Sequence, residues 1–144
     1  MSAPEDLAAL ANVTDALYRA KLISMRRIVE REAGLRRDLA ALEARRQETL
    51  ALATTQVDGP RRIGADVQWQ GWLDGRQRRL QTELAQVMVL KAEAVEGVRR
   101  AHGRGTAAAR LSDNAFDQRR IKRAARAAET LQTLACLTAG TQVS

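Results

Sequence analysis

The sequence predicts an all-α chain folded as a long antiparallel two-helix coiled-coil hairpin, the second helix longer than the first. Three observations lead there. The composition favours helix over a thick core: apolar residues make up 45% of the chain and aromatics only 3%, with much of the apolar share being Ala. Ala brings little burial energy, whereas a fully buried Leu or Phe contributes roughly 1.5–3 kcal/mol, and Ala, Leu, Arg, Glu and Gln are all strong helix formers. Apolar residues recur at heptad spacing on both sides of one central break. Finally, only two prolines occur, and both stand where a helix starts or stops.

The first of them lies in Ser2-Ala3-Pro4-Glu5, which reads as a capping box with proline in the first turn. From about residue 4 to about residue 55 no breaker stronger than Gly34 follows, so this stretch is read as one helix. Its seam is read as Leu7, Leu10, Thr14 and Leu17, then Met25, Ile28, Leu35, Leu39 and Leu42, with Glu32 at a seam position between Ile28 and Leu35. The eight-residue step from Leu17 to Met25 breaks the heptad phase and predicts a stutter.

Val57-Asp58-Gly59-Pro60, followed by Gly64, is the one strong turn signal, placing the reversal at about 56–64. The second helix is expected over about 65–137. Leu73, Leu80, Val87, Ala94, Ala101, Ala108 and Ala115 stand seven apart, flanked by Leu84 and Val98, which is the mark of a coiled-coil seam. The column shrinks from Leu to Ala, so pairing should be strongest near the turn. His102-Gly103-Arg104-Gly105-Thr106 is the expected weak point, because each glycine costs roughly 1 kcal/mol in a helix interior. The 144 residues thus read as a single hairpin domain.

A turn centred near residue 60 pairs positions whose numbers total about 120, so residues beyond about 116 lack a partner in the first helix. Ile121, Ala125, Ala128, Leu131 and Ala135 nevertheless continue an apolar stripe at helical spacing. Either the tail folds back or an outside partner covers it; the second is the favoured expectation.

Catalytic equipment is nearly absent. The one histidine, His102, has no Ser or Cys partner in view and reads as a solvated helix residue. The string around it lacks the spacing of a phosphate loop and follows no strand. Glu93 and Glu96 lie on a polar helix face. No enzyme activity, cofactor or metal is therefore expected. The single Cys136 cannot form an intramolecular disulfide and suits a reducing cytoplasm. The opening MSAPEDLAAL carries acids where a secretory signal has its basic region, and no window approaches an uncharged membrane span.

The net charge is +7, and it resides in one stretch. Between Arg99 and Arg126 there are nine basic residues (Arg99, Arg100, Arg104, Arg110, Arg119, Arg120, Lys122, Arg123 and Arg126) against Asp113 and Asp117. This stretch reads as a solvated face, as a surface for an acidic protein, or as a phosphate-binding patch for nucleic acid. The last is the weakest reading, since no interleaved aromatics or DNA-binding motif accompany it. Trp69 and Trp72, three apart on one helix face, read either as a plug of the hairpin end with Leu50, Leu52 and Ile63 or as an aromatic docking surface.

Several of these residues carry a resemblance. The run Val67-Gln68-Trp69-Gln70-Gly71-Trp72-Leu73 with Leu80 and Leu84, the run from Gly103-Arg104 through Ala107-Ala108-Ala109 to Leu111, and Phe116-Asp117-Gln118-Arg119-Arg120-Ile121 together resemble the FliJ family of flagellar export proteins and its injectisome counterpart, the YscO family. The resemblance covers most of the chain. It implies a cytoplasmic, non-enzymatic stalk, similar to the central stalk of rotary ATPases and peripheral to a membrane-embedded export apparatus. Such a stalk binds the hexameric export ATPase and its regulator, the cytoplasmic domain of the export gate, and export chaperones. Gate binding carries over to Trp69, Trp72, Leu73 and Leu80. Ring contact carries over to Arg119, Arg120 and Ile121, and along the same stripe to Arg126 and Leu131. The chain departs from the family in having Lys122-Arg123 where acidic residues often follow the C-terminal motif. The alternatives to this reading are a generic coiled-coil adaptor or export chaperone, and a basic helical nucleic-acid binder.

Overall fold

The computed structural model describes residues 3–55 and 60–142, and the side chains among them outside 53–63. Two helices pack against each other as a hairpin: α1, Ala3–Thr55, and α2, Pro60–Thr141. The described residues contain no strand. The second helix has 82 residues against 53, so the expected inequality holds. Glu5 and Asp6 occupy the first turn of α1, where negative charge suits the helix dipole. Ser2, the expected cap, and the turn residues 56–59 lie outside the described residues.

The second helix begins earlier and ends later than its sequence suggests. Pro60 opens it rather than Ala65, because proline's fixed φ and missing N–H cost nothing at the first helical position. Gly64 is helical rather than part of the turn, and α2 runs unbroken through Gly103, Gly105 and Gly140 to Thr141. None of the described glycines has a positive φ.

The chain forms two compact units, one of Ala20–Arg99 and the other of the remainder, which joins the start of α1 to α2 from Arg100 onward. Ala20–Arg99 holds the apolar core. Leu35, Leu42, Leu73, Leu80 and Val87 are buried together, with Ile28, Leu39 and Leu84 packed on them. At roughly 1.5–3 kcal/mol per fully buried aliphatic side chain, this cluster is the main stabilising term of the unit. One layer is polar. Glu32 is buried at its seam position, and its carboxylate accepts from Lys91 Nζ at 2.8 Å and from Arg36 Nη2 at 2.9 Å and Nε at 3.1 Å. Lys91 and Arg36, by hydrogen bonding the ionised carboxylate, hold Glu32 below the ordinary glutamate range. A charged pair inside a seam fixes the register, since a slip would strand both charges against apolar side chains. Arg46 pairs with Asp74 across the helices, and Gly97 lies against the aliphatic stem of Lys21.

In the other unit the seam is small and polar. Leu7, Ala8, Ala11, Thr14 and Tyr18 of α1 are half-buried, and Ala101, Ala108 and Ser112 of α2 are buried. The ring of Tyr18 meets that of His102 with centroids 5.3 Å apart at a tilt of 52°. His102, expected to be merely solvated, is exposed but packs against tyrosine. Glu5 and Arg119 approach to 3.7 Å.

The expected seam of α1 needs correction here. Leu10 and Leu17 are 49% and 56% exposed, and the inward positions are Ala11 and Tyr18. Counted from Tyr18, Met25 follows seven residues on, so the predicted stutter is not required. Leu10 and Leu17 suggest the wrong phase because leucine is the larger hydrophobe, while the facing side of α2 offers glycine, alanine and serine.

Beyond Arg119 every described residue is exposed. The tail does not fold back. Within α2 the inward count runs 101, 105, 108, 112, 115, 119, and its continuation falls on Lys122, Arg126, Glu129, Thr133 and Cys136. The apolar residues Ile121, Ala124, Ala128, Leu131, Leu134 and Ala135 instead lie on the opposite, outer face of the helix. The apolar face switches sides at residue 121.

Candidate functional site

Two surfaces collect the residues singled out in the sequence. The first is in the Ala20–Arg99 unit. Trp69 and Trp72 stack with ring centroids 5.1 Å apart and planes 11° from parallel. Their three-residue spacing on one helix puts them in reach of each other. Trp69 Nε1 donates to Thr49 Oγ1 at 3.3 Å, which ties the pair to α1. Both rings remain accessible, at 38% and 46% exposure. Leu50 and Leu52, expected to share a plug with them, are themselves exposed, and the side chain of Ile63 lies outside the described residues. A dry plug built from these residues is therefore not present among the described side chains.

Leu73 and Leu80 fall differently. They are 1% and 3% exposed and belong to the core cluster, because they occupy the inward column of α2. Only a small edge of each reaches the surface, Leu73 in the hollow beside Thr49 and Leu80 in the cleft beside Trp72. Of the four residues grouped in the sequence as contact residues, Trp69 and Trp72 thus present wide exposed faces, while Leu73 and Leu80 lie beneath them at the floor of the neighbouring hollows.

The tryptophan pair has neighbours that composition alone does not single out. Trp72 lines a cleft with Asp38, Leu42, Arg45, Arg76 and Arg79. These residues flank the seam, and only the register between the helices brings them together. A second hollow, lined by Arg46, Thr49, Leu50, Gln70 and Asp74, lies over Leu73.

The second surface is the tail of α2. Arg119 is half-buried and faces Glu5, so it belongs to the last layer of the paired region. Arg120 is exposed and approaches Asp117 one turn earlier at 3.3 Å. Ile121, Arg126 and Leu131 are exposed. Ile121 and Leu131 share the outer apolar face, whereas Arg126 lies on the opposite, basic one. The five expected ring-contact residues thus do not share one face: Arg119 closes the paired region half-buried, Arg120 pairs along its own helix, Ile121 and Leu131 lie on the apolar face and Arg126 on the basic one.

Among the described residues no group of three or more His, Cys, Asp or Glu is placed to hold a metal ion. None of the described helices is long and apolar enough to cross a membrane. Cys136 is exposed and unbridged. Comparison with protein-family models, with curated proteins and with solved structures gives no match.

Proposed function

We propose that this chain is a non-enzymatic stalk of a flagellar type III protein export apparatus, coupling the hexameric export ATPase to the export gate in the cytoplasm. One observation carries the reading: α2 continues beyond its last contact with α1 as a fully exposed amphipathic helix, basic on one face and apolar on the other. A helix with one apolar and one charged face is stable in water when another surface covers the apolar side. The family resemblance supplies the identity of that surface as the ATPase ring. The exposed, stacked Trp69 and Trp72 support a separate contact, because partly exposed aromatics held rigid by neighbours are the usual anchors of protein interfaces.

The test is reconstitution with the cognate export ATPase. Adding the full chain is expected to raise hexamer formation or ATP hydrolysis, and a chain ending at Arg119 is expected to lose the effect while keeping its helicity. No change with the full chain would remove the stalk reading. Stimulation by both chains alike would move the contact away from the tail.

A further inference from the structure

The two flanks of the seam beside the tryptophans differ in their electrostatics. On one flank the charges are matched: Arg46 pairs with Asp74. On the other, Arg45 of α1 and Arg76 and Arg79 of α2 converge on one cleft beside Trp72, and none of the three guanidiniums has an ion-pair partner among the described residues. The cleft's one acid, Asp38, is likewise unpaired there. Residues flanking a coiled-coil seam ordinarily carry opposite charges across it, because they set partner and register. Like charges facing each other repel, and a local rule broken without a compensating gain inside the fold points to a contact outside it.

We infer that this cleft is a docking site for an acidic peptide segment carrying an apolar anchor. Arginine's planar fork holds a carboxylate through two parallel N–H donors, so Arg45, Arg76 and Arg79 can each be neutralised by a glutamate or aspartate. Leu42 supplies an aliphatic floor and Trp72 an aromatic wall for the anchor. Trp69, stacked behind Trp72 and tied to Thr49, holds that wall in place. A peptide can space its carboxylates to avoid Asp38, whereas a phosphate chain, charged at every step, cannot. The site rests on the docking role given above to Trp69 and Trp72 and not on the identity of the export apparatus.

Both tryptophans of the chain lie here, so intrinsic fluorescence of the full chain reports on this surface alone. The probes are the peptide acetyl-Glu-Leu-Glu-Glu-Leu-Glu-amide, its lysine counterpart, and a short oligothymidylate. The glutamate peptide is expected to change the emission saturably, with binding at least about tenfold tighter than the lysine peptide and about tenfold weaker in Arg76→Glu. Arg76→Glu is expected at the same time to raise the thermal midpoint, since it turns the repulsion with Arg45 into attraction; lost binding in that variant then cannot come from unfolding. The site is overturned by no response at about 1 mM peptide, by equal binding of both peptides, by tighter binding of the oligonucleotide, by indifference to Arg76→Glu, or by a lowered midpoint in that variant. No export component enters this assay, so it and the ATPase reconstitution fail independently.

Discussion

Adjacent residues of α2 separate structure from recognition. Leu73 is almost wholly buried and Trp72 is nearly half exposed. Leu73→Ala is expected to cost about 2–5 kcal/mol, the range for emptying a packed aliphatic site, whereas Trp72→Ala should cost under about 1 kcal/mol, because nearly half of its surface already meets water and its removal leaves no closed cavity. Urea denaturation of the two variants checks the contrast; equal losses would make Trp72 a core residue. Glu32 carries a pH dependence. Its folded-state carboxyl is held below the ordinary value of 4.5 by Lys91 and Arg36, so the stabilisation is present above that value and is lost as pH falls through the lowered folded-state value. The stability advantage of the native chain over Glu32→Gln should therefore shrink between about pH 6 and pH 3. Urea midpoints at the two ends measure it, and a constant gap would deny the linkage.

Among elements, the phase of α1 shows what spacing can and cannot reveal. Glu32, Leu35, Leu39 and Leu42 lie inward as read from the sequence, since large aliphatics recurring at three and four residues leave one consistent face. Near the N-terminus both faces carry apolar residues, and Leu10 and Leu17 compete with Ala11 and Tyr18. Only the facing helix, lined by small side chains, resolves the choice. In α2, Gly103 and Gly105 are helical, and a methyl group at either would meet nothing within 4 Å. Replacing both by Ala should stabilise the helix by about 0.4–1 kcal/mol each, through lower entropy of the unfolded chain. Calorimetry should show a raised thermal midpoint; a fall would mean that the glycines admit a close approach in solution.

For the molecule as a whole, apolar burial is uneven. The unit Ala20–Arg99 contains the buried leucines, while the other is sealed by alanine, serine and threonine beside the Tyr18–His102 contact. Less apolar area removed from water means a lower free energy of local opening. Amide exchange is therefore expected to be faster over residues 100–119 than over residues 73–98 and fastest over 120–142, where no described residue is buried. Uniform protection along α2 would contradict this gradient. The exposed tail was legible in the amino-acid order, since an apolar stripe past the reach of α1 is visible from arithmetic alone. The arginine cleft was not legible, because Arg45 lies about thirty residues from Arg76 and Arg79 and no local pattern joins them.

The amino-acid order by itself determined the all-α class, the single reversal near Pro60, the inequality of the helices and the inward column from Leu73 to Ala115. These follow from local propensity and periodicity, which act within a few turns of one helix. Tertiary structure alone decided the phase of the first turns of α1, the burial of Leu73 and Leu80 beside exposed tryptophans, the capture of Glu32 by Lys91, and the meeting of Arg45, Arg76 and Arg79 at one cleft. Each of these depends on which side chain of one helix faces which of the other. That choice is made by packing volume and charge summed across the interface, and no single segment contains it.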